Sequence, residues 1–417
     1  MGSGKSSAAI NFMKKNPRRR YMYITPYLTE IDRVIAACPE LGLLAPGTYG
    51  GRTKSQDLEL LIRQGSSVAT THALFSTMRT GTIEALKAAG YTLIMDEVMN
   101  VIEKERMKKS DIDNFLASGL FVMAEDGEHV LWGGSEDYSG VHSEVVRRAQ
   151  RGNLLYYKKL LLFWTLPAQN FEAFDEVYVL TYMFNAQIQR YYYEMCGIEY
   201  EHIGVEYVDG EYRFCDHPTA PPYAAQLIDK VKIIDDKKLN APGESSHYKN
   251  PLKDTSLSSA WYAKGTERGD TRLEKLRKNS VNVIKTRFKC TSKDIIWTSF
   301  EEKRERVEFS ADKNGKAVRC LPRHGFVACT TRATNNYRDR HYLLYLINHF
   351  LDPITLNYFR DHGVEIDMEA YSLSEFCQWL WRSAIRCGED VEIYVPSRRM
   401  RTLLQQWLER LAAGEPY

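Results

Sequence analysis

Met1-Gly2-Ser3-Gly4-Lys5-Ser6-Ser7 opens the chain, and the helix-like run Ala8-Ala9-Ile10-Asn11-Phe12-Met13-Lys14 follows it. Gly-Lys-Ser after a small, flexible run is the back half of a phosphate-binding loop, G-x-x-x-x-G-K-[ST], whose backbone N–H groups wrap the phosphates of a nucleotide. This makes Gly2, Ser3, Gly4, Lys5, Ser6 and Ser7 the candidate nucleotide contacts. Lys5 would reach the β and γ phosphates, and the Ser6 hydroxyl would hold Mg²⁺. Gly2 and Gly4 let the backbone approach an anion with no Cβ in the way. The helical run that follows would set a helix N-terminus beneath the phosphates. Counted back from Lys5, the first glycine of the pattern falls two positions before Met1, and the buried strand that feeds such a loop is also missing from the sequence. The expectation is a true start upstream, or a fragment that begins within the motif. A Gly/Ser linker reads the same over seven residues, but the helical run argues against it.

Outward from this stretch, the sequence of 417 residues has room for two to three domains, and its 44% apolar content can build real cores. The net charge of +2 announces no global field, so any basic surface is local. No apolar run approaches 18 residues, which excludes a helical membrane span. The eight cysteines form no C-x-x-C pair and fit a reducing compartment better than a disulfide frame or a zinc site. Cys215-x-His217 lacks partner ligands in the sequence. The 26 tyrosines and 7 tryptophans supply core packing and, in part, surfaces on which bases can stack.

Strands and helices alternate along the first part. Tyr21–Thr25 reads as a strand ending at Pro26, Leu28–Ala37 as a helix, Ser67–His72 as a strand end, Thr82–Ala89 as a helix, and Tyr91–Met95 as a buried strand ending in Asp96-Glu97. That spacing predicts a parallel α/β sheet. Leu160–Thr165 is a further apolar strand. A second alternating series starts with Glu176–Met183 and continues through a hairpin turn at Asp209-Gly210. Residues 235–265 read as a polar insertion. Beyond it the pattern predicts a basic helix at Thr271–Phe288, strands at Asp294–Ser299 and Gly325–Cys329, and helices at Arg338–Phe350 and Ser372–Arg386. A last strand at Val391–Val395 and a closing helix at Arg398–Leu411 complete it. The series divide the chain into two α/β lobes, 1–170 and 171–417.

Asp96-Glu97 is the second chemical signal. A phosphate loop needs an acidic partner at a neighbouring strand end: Asp96 would hold Mg²⁺ through water, and Glu97 would polarise the attacking water. Alone, such a pair is more often a solvated strand end; a Gly-Lys-Ser loop about ninety residues earlier reverses that preference. The third signal is Gln378, Arg382 and Arg386, spaced four apart and so on one face of the Ser372–Arg386 helix. Trp379, Leu380 and Ile385 then point into the core. A glutamine and arginines projecting across a cleft would meet the γ-phosphate, although an amphipathic helix with a basic solvent face has the same pattern.

Gly-Ser-Gly-Lys-Ser, Thr25-Pro26, Thr70-Thr71-His72, Ile94-Met95-Asp96-Glu97, Thr165-Leu166-Pro167-Ala168, Ala328–Asn335 and Gln378-x-x-x-Arg382 fall in the order of motifs I, Ia, Ib, II, III, V and VI of superfamily 2 helicases. Over nearly its whole length the chain resembles the DEAD/DEAH-like helicases carried by bacteriophages and mobile elements. The resemblance implies two RecA-like lobes with ATP and Mg²⁺ in the cleft between them. It gives Gly4, Lys5 and Ser6 to the nucleotide and Mg²⁺, Asp96 and Glu97 to the acidic pair, and Thr165 to the link between hydrolysis and strand movement. Gln378 goes to the γ-phosphate, with Arg382 as the arginine finger and Arg386 as the second arginine. Nucleic-acid contacts are implied at Thr25, Pro26, Arg52, Thr70, Thr71 and His72 in the first lobe, and at Arg332, Thr334 and Asn335 in the second. Most such contacts go to phosphates and carry no sequence specificity. Val98-Met99 after the acidic pair departs from the family pattern.

The resulting expectation is an ATP-dependent helicase or translocase on nucleic acid, DNA before RNA, serving phage replication or recombination in a host cytoplasm. Two other classes remain open: a phosphate-loop motor that does not unwind, as in a terminase, and a nucleic-acid-binding protein that has lost its ATPase. A terminase carries an acidic trio in its second lobe, where this sequence offers Gln378 and two arginines.

Overall fold

The computed structural model describes residues 4–217, 224–264, 271–311, 316–330 and 336–415. They divide into two compact units: one holds residues 4–216 together with 352–366, the other 217–351 and 367–417.

The N-terminal unit runs α1 (Lys5–Lys15), β1 (Arg20–Thr25), α2 (Leu28–Ala37), α3 (Lys54–Arg63), β2 (Val68–Thr71), α4 (His72–Phe75), α5 (Thr80–Ala89) and β3 (Tyr91–Asp96). It continues through β4 (Ile102–Lys104), α6 (Lys109–Ala117), β5 (Phe121–Met123), β6 (Val130–Trp132), α7 (Ser143–Gln150), β7 (Leu154–Tyr157) and β8 (Leu161–Thr165). Then come α8 (Gln169–Glu172), β9 (Glu176–Leu180), α9 (Ile188–Cys196), β10 (Gly204–Val208) and β11 (Glu211–Cys215). The main sheet has the order β2-β1-β3-β9, every pair parallel. Ile24 of β1 stands opposite Thr70 on one side and Met95 on the other. Tyr91–Met95 is buried throughout, which explains its unbroken apolar run: a central parallel strand has helices over both faces. Leu93, Ile94 and Met95 each contribute about 1.5–3 kcal/mol of burial.

Between β3 and β9 the chain leaves the sheet to build an inserted subdomain. Strands β4, β8 and β7 form an antiparallel sheet, β5 and β6 a hairpin. Met107, Ile112, Phe121, Val130, Val145, Val146, Ala149, Leu154 and Leu162 give it a core of its own. This corrects two expectations. The strand ending at Thr165 belongs to the insertion and not to the parallel sheet. Glu176–Leu180, expected to open the second lobe, pairs with β3 in the first, so the unit extends past 170 to residue 216. Both strands are five residues long and largely apolar, and pairing partners distant in sequence decide between them.

The C-terminal unit holds α10 (Leu227–Lys230), β12 (Val231–Ile233), α11 (Lys237–Asn240), α12 (Ser259–Ala263), α13 (Thr271–Asn282), β13 (Ile295–Thr298), α14 (Arg304–Glu308), β14 (Phe309–Ala311), β15 (Ala317–Arg319) and β16 (Tyr342–Tyr345). Next comes α15 (Pro353–Asp361), which packs with the N-terminal unit, where Tyr358 lies against Tyr157 and Phe163. Then follow α16 (Met368–Leu380), β17 (Val391–Tyr394) and α17 (Arg398–Ala412). The sheet order is β12-β17-β16-β13, again all parallel. Two α/β units with parallel sheets flanked by helices are the RecA-like layout the sequence predicts. The expected helix at Arg338–Phe350 is instead strand β16 and a buried tail, because Tyr342–Tyr345 pairs on both edges. Gly325–Cys329 forms no strand beyond a single bridge, Trp297 to Phe326.

Candidate nucleotide site

Lys5 starts α1 immediately after Gly4, whose φ of 77° and ψ of 11° lie in the left-handed region. Only glycine fits here for a second reason: a Cβ would fall 2.2 Å from the Tyr212 ring. That ring is fixed from β11, since Asn11 Nδ2 donates to Tyr212 O at 3.0 Å and Phe214 stacks on Tyr178 at 5.3 Å and 3°. The sequence carries no signal that a hairpin two hundred residues away packs on the loop.

Ser6 Oγ donates to Asp96 Oδ1 at 3.1 Å, joining the start of α1 to the end of β3. Lys5 lies in the field of both Asp96 and Glu97; burial pushes its ammonium pKa down, and the two carboxylates oppose that shift. Burial pushes the Asp96 carboxyl up to about 6, the charge of Glu97 adds to this, and the Ser6 hydroxyl opposes it. One ammonium, two carboxylates and a hydroxyl are thus gathered where the start of α1 meets the tip of β3. Glu97 has φ 67°, an uncommon conformation for a side-chain-bearing residue and one that concentrates at functional sites. Its N–H bonds to Leu180 O at 3.2 Å, which locks the turn to β9.

Two contributors escaped the sequence. Thr181, just past β9, donates from Oγ1 to Glu97 Oε2 at 3.5 Å. It stands past the tip of the strand beside β3, whereas Thr165, which the resemblance gives to the link between hydrolysis and strand movement, is nine-tenths buried at the end of β8 in the insertion. The Leu180-Thr181 pair was a visible signal, obscured by a similar Thr165-Leu166 pair fifteen residues earlier. Gln189, buried on α9, accepts from Met99 N at 3.0 Å and donates to Tyr193 Oη at 2.9 Å, holding up the segment after Glu97.

The other candidates separate. Gly2 and Ser3 lie outside the described residues, as do Arg332, Thr334 and Asn335. Ser7 is exposed at the first turn of α1, next to Ser6. In the C-terminal unit α16 ends at Leu380, so the shared helical face fails: Arg382 lies past the helix end and is 4% exposed, while Arg386 sits in a 3-10 turn in solvent. Gln378 remains on α16, half-buried, and Trp379, Leu380 and Ile385 are in the core as expected. The Thr25 and Thr70 side chains are enclosed within the sheet, so only their backbone could meet a strand of nucleic acid. Thr71 caps α4 by accepting from Leu74 N at 3.2 Å, and Pro26 and His72 are half-buried. Arg52 is half-exposed and reaches Asp57 at 3.5 Å.

No helix among the described residues is long and apolar enough to cross a membrane. Residues 225–408 match the family model described as the YonV C-terminal Rossmann-like domain. Among solved structures, the chain described as XPD_APO has a TM-score of 0.48 at 10% identity, covering 98% of this chain and 93% of that one. The structure of S. tokodaii Xpd4 gives 0.41 at 10% identity, covering 97% and 92%. The SPbeta prophage-derived protein YonV of Bacillus subtilis (strain 168) is 35% identical over 422 residues, spanning 98% of this chain and 97% of its own length. With that identity along nearly the whole of both chains, this protein belongs to the YonV family.

Proposed function

We propose that the protein is a nucleoside triphosphatase that moves along nucleic acid, an ATP-driven translocase or helicase. The observation that carries this reading is the Ser6–Asp96 hydrogen bond, with Lys5 and Glu97 beside it. It joins the loop at the start of α1 to the acidic tip of the adjacent parallel strand. The donor set fits the nucleotide and its ion: Gly4 N–H and Lys5 for the phosphates, Ser6 and Asp96 for Mg²⁺. Bound Mg²⁺ would supply charge neutralisation at the phosphates. Glu97, held by its turn and by Thr181, orients the attacking water and takes its proton. From the C-terminal unit Arg382 is proposed to act on the γ-phosphate, with Gln378 beside it, an assignment that rests on motif order. A prophage-derived relative supports a phage setting.

The test is steady-state phosphate release from ATP with and without single-stranded DNA and RNA. Turnover stimulated by one nucleic acid and lost in Lys5→Ala and Arg382→Ala is expected, and the stimulating strand names the track. Stimulated turnover without strand separation would favour the motor that does not unwind. Nucleic-acid binding with no hydrolysis in the protein would replace the motor with a binding protein.

A further inference from the structure

Helix α1 divides its sides between the sheet and a hairpin. Ser6, Ile10 and Met13 fall on one side: Ser6 bonds to Asp96, and Ile10 and Met13 enter the core with Tyr23 and Ile94. At about 100° per residue, Ala8, Asn11 and Lys15 come round to the opposite side, in line with Gly4. There the β10-β11 hairpin lies along the helix. Asn11 donates to Tyr212 O, and Lys15 Nζ pairs with Glu211 at 2.6 Å. The Tyr212 ring reaches back to the start of the helix, where it lies against Gly4 so closely that no Cβ fits between them. Phe214, two residues on and so on the same face of the strand, packs on Phe12 and Tyr178 and fixes the hairpin there.

Tyr207 stands directly across from Tyr212 in the hairpin, with the ring centroids 4.8 Å apart. A cross-strand aromatic pair steadies a hairpin by about 0.2–1 kcal/mol, and that would account for two rings turned into a core. It does not account for where these rings lie. Tyr207 is 60% exposed, and its partner ends at the phosphate loop. The turn beside them, Asp209-Gly210, has left-handed φ at both positions, 53° and 82°, the tight connection that keeps the two strands paired up to their tips. The rings therefore form a step of aromatic surface that starts at Gly4 and leads away from Asp96. A nucleotide bound at α1 would have the same polarity. Its terminal phosphate and metal ion belong with Ser6, Asp96 and Glu97, so its nucleoside leaves on the other side, toward the hairpin.

We propose that Tyr207 and Tyr212 hold the base of the bound nucleotide by stacking, with the open ring of Tyr207 as the principal contact. This assignment rests on the triphosphatase reading above and adds to it the residues that hold the nucleoside. A tyrosine ring offers a large, rigid surface at little cost in side-chain freedom. Every base has a π-face, so the contact favours a nucleoside triphosphate over bare phosphate without choosing among bases.

The experiment is isothermal titration calorimetry of the whole chain with ATP and, separately, with inorganic tripolyphosphate, both in Mg²⁺. Tripolyphosphate carries the phosphates without the base. Tyr207→Ala is expected to weaken ATP binding about 5- to 100-fold and to leave tripolyphosphate binding unchanged. Tyr207→Phe keeps the ring and should bind ATP as the wild type does. Unchanged or tighter ATP binding by Tyr207→Ala overturns the proposal and leaves the triphosphatase reading intact. An equal loss for both ligands also overturns it, because the hairpin would then be shaping the loop and not holding a base. If the wild type binds neither ligand, the triphosphatase reading falls and the proposal with it. Should Tyr207→Ala fail to fold, Tyr207→Leu replaces it, keeping apolar bulk without a ring, and the same outcomes decide.

Discussion

The two parallel sheets end differently at their carboxyl edges. In the N-terminal unit β3 runs out into Asp96 and a left-handed Glu97, whose charges face Lys5, Ser6 and Thr181. In the C-terminal unit β16 runs out into Leu346-Ile347-Asn348-His349, all buried, and Arg399 seals it. Arg399 is 1% exposed. Its Nη1 donates to Asn348 Oδ1 at 3.2 Å and to His349 O at 3.0 Å, and its Nη2 to Met368 O and Ser372 Oγ, both at 3.0 Å. It also lies 4.2 Å from the Phe350 ring, and burial pushes its pKa down to about 10. The same strand-and-helix layout therefore leaves charged side chains at the tip of β3 and closes the tip of β16 with an arginine that satisfies backbone carbonyls.

The sharpest way to break this comparison is to disable the open end. Glu97→Gln should reduce ATP turnover about 100- to 10,000-fold with the thermal midpoint unchanged. Equal turnover in the variant would remove Glu97 from the chemistry. The closed end predicts a stability effect in place of a kinetic one. Arg399→Met should destabilise the protein by about 2–4 kcal/mol in urea unfolding, because at least two carbonyls and two side chains lose their donor inside the fold. A neutral result would mean that water replaces the guanidinium there.

A smaller effect is expected at Thr181. Thr181→Val keeps the shape but removes the hydroxyl that holds Glu97, so turnover should fall about tenfold with nucleotide affinity unchanged. Thr165→Val, at the position motif order favours, should leave turnover alone. The smallest effect is a pH dependence at the closed end. His349 is buried, 3.9 Å from the Cys329 thiol and stacked on Tyr371; burial presses its pKa down, Glu375 opposes this, and Arg399 adds to it. The net shift is below 6.5. On acidification the unfolded chain then takes up a proton before the folded one does. The stability contribution is present above about pH 6.5 and is lost as the pH falls below it. His349→Gln should flatten this decline, as measured by urea unfolding at pH 7.5 and pH 5.5.

Much of the open end was legible in the sequence, because its parts are local: Gly4-Lys5-Ser6 before a helix, and Asp96-Glu97 after an apolar run. The parallel α/β class was legible for the same reason, through alternating strands and helices. What was not legible depends on pairing across long separations. Two five-residue apolar strands, each ending near a Leu-Thr or Thr-Leu pair, compete for the place beside β3, and only the insertion's own core assigns Leu161–Thr165 to a different sheet. The four-residue spacing of Gln378, Arg382 and Arg386 implied one helical face. The helix instead stops at Leu380, which buries Arg382 and leaves Arg386 in solvent. Arg399 read as one of several basic residues on a closing helix, and nothing in the spacing distinguishes a buried arginine from an exposed one.

The central claim is that the strand tip at Asp96-Glu97 and the loop at Lys5-Ser6 work as one triphosphatase site. The most direct measurement separates binding from turnover, using a fluorescent ATP analogue with Mg²⁺ and the wild type, Lys5→Ala and Glu97→Gln in parallel. The account predicts that Glu97→Gln binds the analogue as tightly as the wild type yet does not cleave it, while Lys5→Ala does not retain it. Equal binding by all three, or unimpaired cleavage by Glu97→Gln, would contradict it.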